Sequence, residues 1–447
     1  MSKEKAAIGA EPVYDARLLG IPRMLILGLQ HMFAMFGATV LVPMIVSNTY
    51  GLPLSVQTTL FFAGVGTLFF HICTKLRVPA FLGSSFAYLG GFQAVSQLEA
   101  GKFAGMSGAE KLPYALGGIC IAGLLYLILA LLFKVVGAGK VMRFFPPIVT
   151  GPMIILIGLT LSGSAVGNAS TNWPLALLAM AVIIVANIWG KGMIKVIPIL
   201  LGVAIPYVVA LCLGLVDFSG AKEVSALGLP PFVLAKFDVT SILVMAPIAI
   251  AAMMEHIGDV SAISATCGRN YIAEPGLHRT LLGDGVATAI AGLFGGPANT
   301  TYGENTGVLA LSRVYDPRVV RLAAFYAVIL SFSPKFAAVI NSIPTAIIGG
   351  VSFILYGMIS AVGVRNVVEN KVDLTQSRNL IVAAVMFVCG LGFTDGVTFQ
   401  VGEATVTLTA LAIAALAGVI LNAILPGKDY TFGVDPEQDA SADLGHY

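Results

Sequence analysis

Stretches of about 20 apolar residues recur along almost the whole chain and are separated by short polar segments. A helix of that length crosses the hydrocarbon core of a bilayer. The pattern therefore predicts an all-α polytopic membrane protein with fourteen membrane segments, two of them broken. The predicted segments are residues 24–47, 54–74, 79–98 (broken), 112–134, 144–162, 174–190, 194–216, 240–268, 279–296, 297–312 (broken), 318–334, 343–363, 378–395 and 404–425.

Proline, glycine and polar residues interrupt two of these segments, which therefore cannot be continuous helices. In the tenth segment, Pro297 to Tyr302 is predicted to be extended and Glu304 to Ser312 to form a short helix. The third segment repeats this order from Pro79 through small residues to Phe86. Non-helical backbone survives at membrane depth only inside protein or beside a water-filled cavity. Paired interruptions of this kind indicate the substrate site of a transporter.

The two halves of the chain resemble each other at further points that keep the same order. The matching pairs are Gln30-His31 with Glu255-His256, Pro79 with Pro297, and Pro146 with Pro344. Seven segments in each copy, an odd number, would place the second copy upside down in the bilayer. The pattern therefore predicts two inverted repeats of seven segments, an arrangement typical of secondary transporters.

Basic residues indicate the direction of each segment, because cytoplasmic loops of membrane proteins are enriched in Lys and Arg. With the N-terminus inside, 20 of the 25 basic residues fall on the cytoplasmic side, Lys195 and Arg365 among them. We therefore expect a multi-pass protein of the cytoplasmic membrane with both termini cytoplasmic. Residues 1–22 and 426–447 are the predicted cytoplasmic tails, and residues 217–239 are a predicted extracellular loop.

Composition supports the membrane assignment and excludes several functions. The 447 residues are 57% hydrophobic and 11% charged, with a mean hydropathy of +0.91, whereas a soluble domain carries roughly 25% charged residues. A net charge of +2 gives no indication of a nucleic-acid partner. The chain has no phosphate-binding GxxxxGK[ST] loop, no HExxH or GxSxG motif and no Cys/His cluster. ATP hydrolysis, a metal site and a cofactor site are therefore not expected.

Few ionisable residues lie inside the predicted segments, and each needs a reason because a charge in the bilayer is costly. Glu255 and Asp259 are four residues apart and so share one face of the eighth helix. Their mutual repulsion favours protonation of one of them, which suits reversible proton uptake. Glu304 stands at the start of a half-helix, where free amides and the helix dipole favour a negative charge. We expect all three carboxylates to serve substrate binding and proton coupling.

The two half-helices begin near Phe86 and Glu304, and inverted repeats would turn their N-termini toward each other. Backbone amides, carboxylates and the rings of Phe86 and Tyr302 would then line the gap between them. Such a site suits a small, flat molecule that carries both N–H donors and carbonyl acceptors.

Four other ionisable residues are harder to assign from their positions alone. His31 is an accessory candidate for the site, and His256 is expected to be a packing residue. Asp284 and Asp395 lie near the ends of the ninth and thirteenth segments, so they are predicted to be interfacial and solvated.

Four motifs resemble those of the nucleobase–ascorbate transporter family of nucleobase–cation symporters, and within it the uracil permeases. The resemblance runs from Gln30 to about Pro426. Asp259 stands where uracil permeases carry histidine and where purine-transporting relatives often carry aspartate. The motifs are Gln30-His31-Met-Phe-Ala-Met-Phe-Gly-Ala38, Leu82-Gly83-Ser84-Ser85-Phe86-Ala87, Asn299-Thr-Thr-Tyr302-Gly303-Glu304-Asn305-Thr-Gly307 and Gly349-Gly350-Val-Ser-Phe-Ile-Leu-Tyr356-Gly357.

The resemblance implies a core domain and a gate domain, each drawn from both halves of the chain. The core would comprise segments 1–4 and 8–11, residues 23–143 and 240–341. The gate would comprise segments 5–7 and 12–14, residues 144–216 and 342–425. Short antiparallel strands in segments 3 and 10 would flank the substrate, and members of this family are typically proton symporters that form homodimers through their gate domains.

By motif position, the resemblance also implies roles for single residues. Glu255 would accept N–H groups of the base, and Glu304 would hold the other side of the ring. Backbone amides at Phe86 and Gly303 would bind its carbonyl groups. The other implied site residues are Ala38, Ser85, Asp259, Tyr302 and Tyr356.

The sequence thus predicts a proton-coupled importer of uracil. A xanthine or urate symporter remains an alternative because of Asp259. An anion exchanger or channel on the same fold is a second alternative, which carboxylates at the site disfavour. A membrane-embedded enzyme is a third, without a recognisable catalytic motif.

Overall fold

The structure is a computed structural model that describes residues 11–99, 101–217, 222, 224–401 and 404–427 of the 447-residue chain. Residues 1–10 and 428–447 of the predicted tails lie outside the described residues, and with them Lys3, Lys5 and Lys428.

Helices dominate the described chain, and four short strands form two separate pairs. The helices are α1 Ile21–Asn48, α2 Val56–Cys73, α3 Leu89–Ser96, α4 Gly108–Val136, α5 Ala138–Val141, α6 Pro147–Thr160, α7 Ser162–Ser170, α8 Trp173–Ile188, α9 Met193–Val196, α10 Pro198–Cys212, α11 Val239–Met245, α12 Ile248–Cys267, α13 Leu277–Phe294, α14 Gly303–Ser312, α15 Pro317–Ser331, α16 Pro334–Asn341, α17 Thr345–Glu369, α18 Ser377–Gly392 and α19 Ala410–Ile424. The strands are β1 Leu82–Ser84, β2 Asn299–Thr301, β3 Val397–Val401 and β4 Ala404–Leu408.

Several of these helices are long and apolar enough to cross a membrane. Within the described residues six spans qualify, namely α1, α2, α4, α6 with α7, α11 with α12, and α17. The count rises to seven if α15 and α16, which are bent by 89° at a short break, form one span. Four shorter apolar helices, α8, α10, α18 and α19, accompany them. The chain is therefore a multi-pass helical membrane protein, and the count of fourteen segments stays a prediction.

Strands β1 and β2 form an antiparallel pair in which Leu82 faces Thr301 and Ser84 faces Asn299. Hydrogen bonds continue beyond both ends, from the Ser85 amide to the Ala298 carbonyl at 2.9 Å and from the Tyr302 amide to the Phe81 carbonyl at 3.0 Å. These bonds satisfy backbone groups that have no helical partner, which a membrane interior requires. The predicted antiparallel strands in segments 3 and 10 are confirmed.

A threonine from a neighbouring helix binds the first residue of each of these strands. The Leu82 amide donates to Oγ1 of Thr67 on α2 at 2.8 Å, and that hydroxyl lies 3.2 Å from the Leu82 carbonyl oxygen. The Asn299 amide donates to Oγ1 of Thr288 on α13 at 3.1 Å, and that hydroxyl lies 3.3 Å from the Asn299 carbonyl oxygen. Equivalent contacts in the two halves are what an internal repeat produces.

The helices pack in two groups. In one, α13 packs against α4 and α2, and α15 packs against α2 and α1. In the other, α17 packs against α6, α7 and α8, and α18 packs against α19. At the α4–α13 contact a side chain on Gly123 or Gly285 would overlap the backbone of the opposite helix. Glycine therefore permits an approach there that no larger residue allows.

The second strand pair was not predicted. Strands β3 and β4 are antiparallel, with Val397 facing Leu408, so the first residues of the predicted last segment are strand and its helix begins only at Ala410. Alternating β-branched residues in Val397-Thr-Phe-Gln-Val401 and Ala404-Thr-Val-Thr-Leu408 favour strands. Hydropathy alone merged β4 with the helix that follows and left β3 between two predicted segments.

The end of the predicted N-terminal tail is packed into the fold. We call residues 13–19 the N-terminal strap. Val13 forms a parallel bridge with Val314, the Tyr14 hydroxyl donates to the Cys267 carbonyl at 2.8 Å, and the Ala16 amide donates to Oδ2 of Asp316 at 2.7 Å. The strap thus joins α1 to the ends of α12 and α14, the two helices that carry the predicted carboxylates.

Candidate functional site

A cavity of about 400 Å³ lies where the β1–β2 pair, the two half-helices and α12 come together. Six of the predicted site residues line it, and they come from three separate parts of the chain. These residues are Phe86, Glu255, Asp259, Tyr302, Gly303 and Glu304. The break in segment 10 and its partner in segment 3 therefore meet at one cavity, as the sequence pattern predicted.

Glu255 and Asp259 lie one turn apart on α12, and both are more than nine-tenths buried. Oδ2 of Asp259 accepts a 2.7 Å hydrogen bond from the hydroxyl of Thr301, the last residue of β2. Oε2 of Glu255 is buried and has no hydrogen-bond partner among the described residues. Thr301 thus takes up part of the acceptor capacity of Asp259, whereas Oε2 of Glu255 keeps its own.

Glu304 lies in the first turn of α14, which begins at the cavity wall. The residue preceding the helix, Tyr302, makes no side-chain hydrogen bond to the first-turn amides. Free amides and the positive end of the helix dipole thus face the cavity beside a carboxylate. The arrangement can accept hydrogen bonds through Glu304 and donate them through the backbone.

Tyr302 and Phe86 contribute aromatic surfaces. The Tyr302 hydroxyl donates to the Ser84 carbonyl at 2.9 Å and lies 3.1 Å from Oγ of Ser84, so it fixes the ring against β1. A side chain on Gly83 would overlap that ring. Phe86 packs edge-on against Tyr356, with ring centroids 5.8 Å apart. Both rings are therefore held in place by residues from other segments.

Four predicted site residues do not lie on the cavity wall. Tyr356 lies behind Phe86, and Ala38 and Ser85 are fully buried. His31 is also fully buried, where its carbonyl and its Nδ1 accept hydrogen bonds of 3.0 and 3.1 Å from the Asn305 amide group. His31 therefore contacts the first turn of α14 and not the cavity.

The prediction that Asp284 is solvated is wrong. Asp284 is completely buried, and its Oδ2 lies 2.8 Å from Nδ1 of His256. Its helix packs closely on α4 and α2, and the neighbouring Gly283 and Gly285 permit that contact. The position of Asp284 near the end of an apolar segment suggested the membrane–water interface, whereas the packing of its helix buries it inside the protein. Asp395 is exposed, in agreement with its prediction.

Sequence reasoning missed several residues of the cavity. Thr301 was quoted in a motif but given no role, although its hydroxyl binds Asp259. Lys195 and Arg365 line the cavity as well, and the charge pattern had assigned both to the cytoplasmic side. In the sequence, the only indication of a role for Thr301 is that it is a polar residue in a predicted extended stretch, close to Glu304. Within the described residues no cluster of three or more His, Cys, Asp or Glu side chains could hold a metal ion.

Membrane-spanning helices, two half-helices that begin at one cavity, and buried carboxylates on its wall define a multi-pass membrane transport protein. The sequence model described as the Permease family, that of the xanthine and uracil permeases, matches residues 22–398. The chain belongs to this family, the nucleobase–ascorbate transporters.

Several relatives bear the name uracil permease. The chain is 42% identical to the uracil permease of Bacillus caldolyticus over 90% of its own length and 92% of the relative. It is 39% identical to the uracil permease of Bacillus subtilis, over 89% of this chain and 91% of the relative. It is 35% identical to the uracil permease of Escherichia coli K12, over 89% of this chain and 90% of the relative.

Solved structures with a similar fold are more distant in sequence. The transmembrane domain of the cyanobacterial bicarbonate transporter BicA has a TM-score of 0.59 at 14% identity, covering 92% of this chain and 99% of that domain. SLC26A9 has a TM-score of 0.64 at 12% identity, covering 92% and 66%. These similarities establish the fold and carry no information about the substrate.

Proposed function

We propose that this protein imports uracil across the cytoplasmic membrane together with protons, by alternating access. The observation that carries the proposal is the cavity wall on which Glu255 and Glu304 lie beside the free amides of α14. The names of relatives support uracil as the substrate, since uracil permeases of three bacteria are 35–42% identical to this chain.

The polar groups of the cavity complement uracil. Uracil is flat and carries two N–H donors and two carbonyl acceptors. Glu255 and Glu304 accept its N–H groups, and the backbone amides at Phe86 and Gly303 donate to its carbonyls. The rings of Phe86 and Tyr302 provide surfaces for the planar base. A cavity of about 400 Å³ has ample room for such a molecule.

Three carboxylates around one largely apolar cavity support proton coupling. Ionising all of Glu255, Asp259 and Glu304 together would place three negative charges in a poorly hydrated region. Binding of a proton to one of them relieves that repulsion and allows the carboxyl group to donate a hydrogen bond. Coupling of this kind needs no metal ion.

The two packing groups of helices support a core and a gate that move against each other. The core, residues 23–143 and 240–341, contributes Glu255 and Glu304, and the gate, residues 144–216 and 342–425, contributes Ile154 and Leu355 to the opposite wall. Displacement of one group relative to the other would open the cavity to alternate sides. Lys195 and Arg365 on the wall indicate that the cavity reaches toward the predicted cytoplasmic side. As in the family it resembles, we propose a homodimer through the gate domains.

The experiment is uptake of radiolabelled uracil into proteoliposomes, with unlabelled uracil, xanthine, urate and bicarbonate as competitors. Uracil should compete fully, whereas the purines and the anion should not. Purine competition at equal concentration would favour the purine symporter, for which Asp259 is the supporting residue. Absence of uracil uptake by protein that binds xanthine or urate would overturn the substrate proposal.

A further inference from the structure

The β1–β2 pair leaves one edge of each strand without a strand partner. Phe81 and Ser85 bond across to Tyr302 and Ala298, so the intervening Leu82 directs its backbone N–H and C=O to the outer edge. Asn299 does the same on β2. Both residues are buried at the centre of a membrane protein, where unpaired backbone groups are costly.

Thr67 and Thr288 occupy these two edges. Each is fully buried, and each hydroxyl lies within 3.3 Å of both the amide nitrogen and the carbonyl oxygen of one strand residue. A hydroxyl can accept from an N–H and donate to a C=O at once, so one side chain satisfies both backbone groups. A branched side chain in a helix also has few χ1 rotamers, which holds the hydroxyl in place.

We propose that Thr67 and Thr288 are positioning residues for the substrate site, one in each half of the chain. They anchor the strands to α2 and α13, and the strands in turn place the groups that line the cavity. Leu82, which Thr67 binds, faces Thr301 across the pair, and Thr301 binds Asp259. Asn299, which Thr288 binds, faces Ser84 at the end that leads to Phe86.

This inference rests on the proposed function only in the choice of uracil as the ligand for the binding test. The anchoring of the strands by the two threonines does not depend on which substrate the protein carries. Thr67→Val and Thr288→Val remove the hydroxyl at nearly constant volume, and Thr67→Ser and Thr288→Ser retain it. Thr59 on α2 and Thr280 on α13 supply matched controls. Both side chains are fully or almost fully buried. The Thr59 hydroxyl donates to the Ser55 carbonyl at 2.8 Å, and the Thr280 hydroxyl donates to the Leu277 carbonyl at 3.1 Å, so neither binds a strand.

The experiment measures uracil binding by calorimetry, the KM and maximal rate of uptake in proteoliposomes, and hydrogen–deuterium exchange of the strand amides. Either valine variant should raise Kd and KM by about tenfold, the factor expected when a buried backbone group loses its partner. The maximal rate should change less than KM. The serine variants should recover most of the affinity, and Thr59→Val and Thr280→Val should behave as wild type.

Hydrogen exchange tests the anchoring of the strands independently of which substrate the protein binds. Amides of residues 81–85 should exchange faster in Thr67→Val, and those of residues 298–302 faster in Thr288→Val, than in the matched controls. Unchanged exchange in both valine variants would overturn the positioning role. Wild-type protein that does not bind uracil would refute the proposed substrate, while the exchange rates would still decide the role of the threonines. If one valine variant does not fold, the other tests the same claim in the opposite half.

Discussion

The hydroxyl of Thr301 donates a 2.7 Å hydrogen bond to Oδ2 of Asp259. A strand residue and a helix residue 42 positions apart are thereby joined at the cavity wall. Because one oxygen of Asp259 is occupied by this bond, the carboxylate has a fixed orientation in the site. Asp259 is also the residue that stands where the resemblance to uracil permeases implies a histidine.

Asp259→Asn should retain uracil binding and flatten the pH dependence of uptake. The amide oxygen can still accept from Thr301, and the amide nitrogen can donate to a ligand, but the side chain no longer titrates. Initial uptake rates against external pH, for wild type and variant, measure the effect. An unchanged pH profile would make Asp259 structural and would leave proton binding to Glu255 or Glu304.

Glu255→Gln should abolish measurable uracil binding. The glutamine keeps one acceptor but presents donors to a ligand that itself donates, and loss of a charged acceptor at a buried site typically costs about a hundredfold or more in affinity. Calorimetry on purified protein measures the loss. Glu274→Gln is the control, because Glu274 is exposed and pairs with Arg77 away from the cavity. Equal affinities of Glu255→Gln and wild type would remove Glu255 from the site.

Uptake should follow a proton gradient and not a sodium gradient. The cavity wall carries three carboxylates, each of which can bind and release a proton. Proteoliposomes should accumulate uracil when the outside is acidic and lose that accumulation on addition of an uncoupler. Accumulation driven by sodium at equal pH on both sides would contradict proton coupling.

Gly83→Ala should weaken uracil binding and lower stability, since the added methyl group overlaps the Tyr302 ring. Overpacking of this kind typically costs about 1–3 kcal/mol. Gly90→Ala is the matched control, because a methyl group there meets no atom within 4 Å. Thermal unfolding with and without uracil compares the two variants. Identical behaviour of both would mean that the Tyr302 ring moves without consequence for the site.

His256→Phe should lower the stability of the protein by more than the difference in side-chain shape between histidine and phenylalanine would. It leaves the carboxylate of Asp284 buried without its partner, and breaking a buried pair typically costs about 3–5 kcal/mol. The double variant His256→Phe with Asp284→Leu should recover much of that loss, because neither polar group then remains. Thermal unfolding of the single and double variants measures the recovery. A double variant less stable than His256→Phe would exclude this explanation.

Sequence pattern located the site because its signals are local. Pro297, Gly303 and Glu304 stand close together in an apolar chain, and the helical spacing of Glu255 and Asp259 fixes their common face. Such features follow from backbone preferences and the cost of charge in a membrane. They indicated the break in segment 10 and the face of α12 that line the cavity, but not the complete set of residues on its wall.

Contacts between distant segments were not accessible in the same way. The partner of Asp259 depends on how β2 lies against α12, and the burial of Asp284 depends on how closely α13 approaches α4. Neither is encoded in the hydropathy of the segment itself. The β3–β4 hairpin was missed for a different reason, since β4 directly precedes an apolar helix and a window of segment length averages the two together.

The N-terminal strap has a consequence for biosynthesis. Tyr14 and Ala16 leave the ribosome well before their partners Cys267 and Asp316, which follow 253 and 300 residues later. The strap therefore cannot reach its final contacts until most of the helices have been translated and inserted. Its docking is therefore a late event in assembly, and a chain that stops before residue 316 would lack the Asp316 contact that holds this segment.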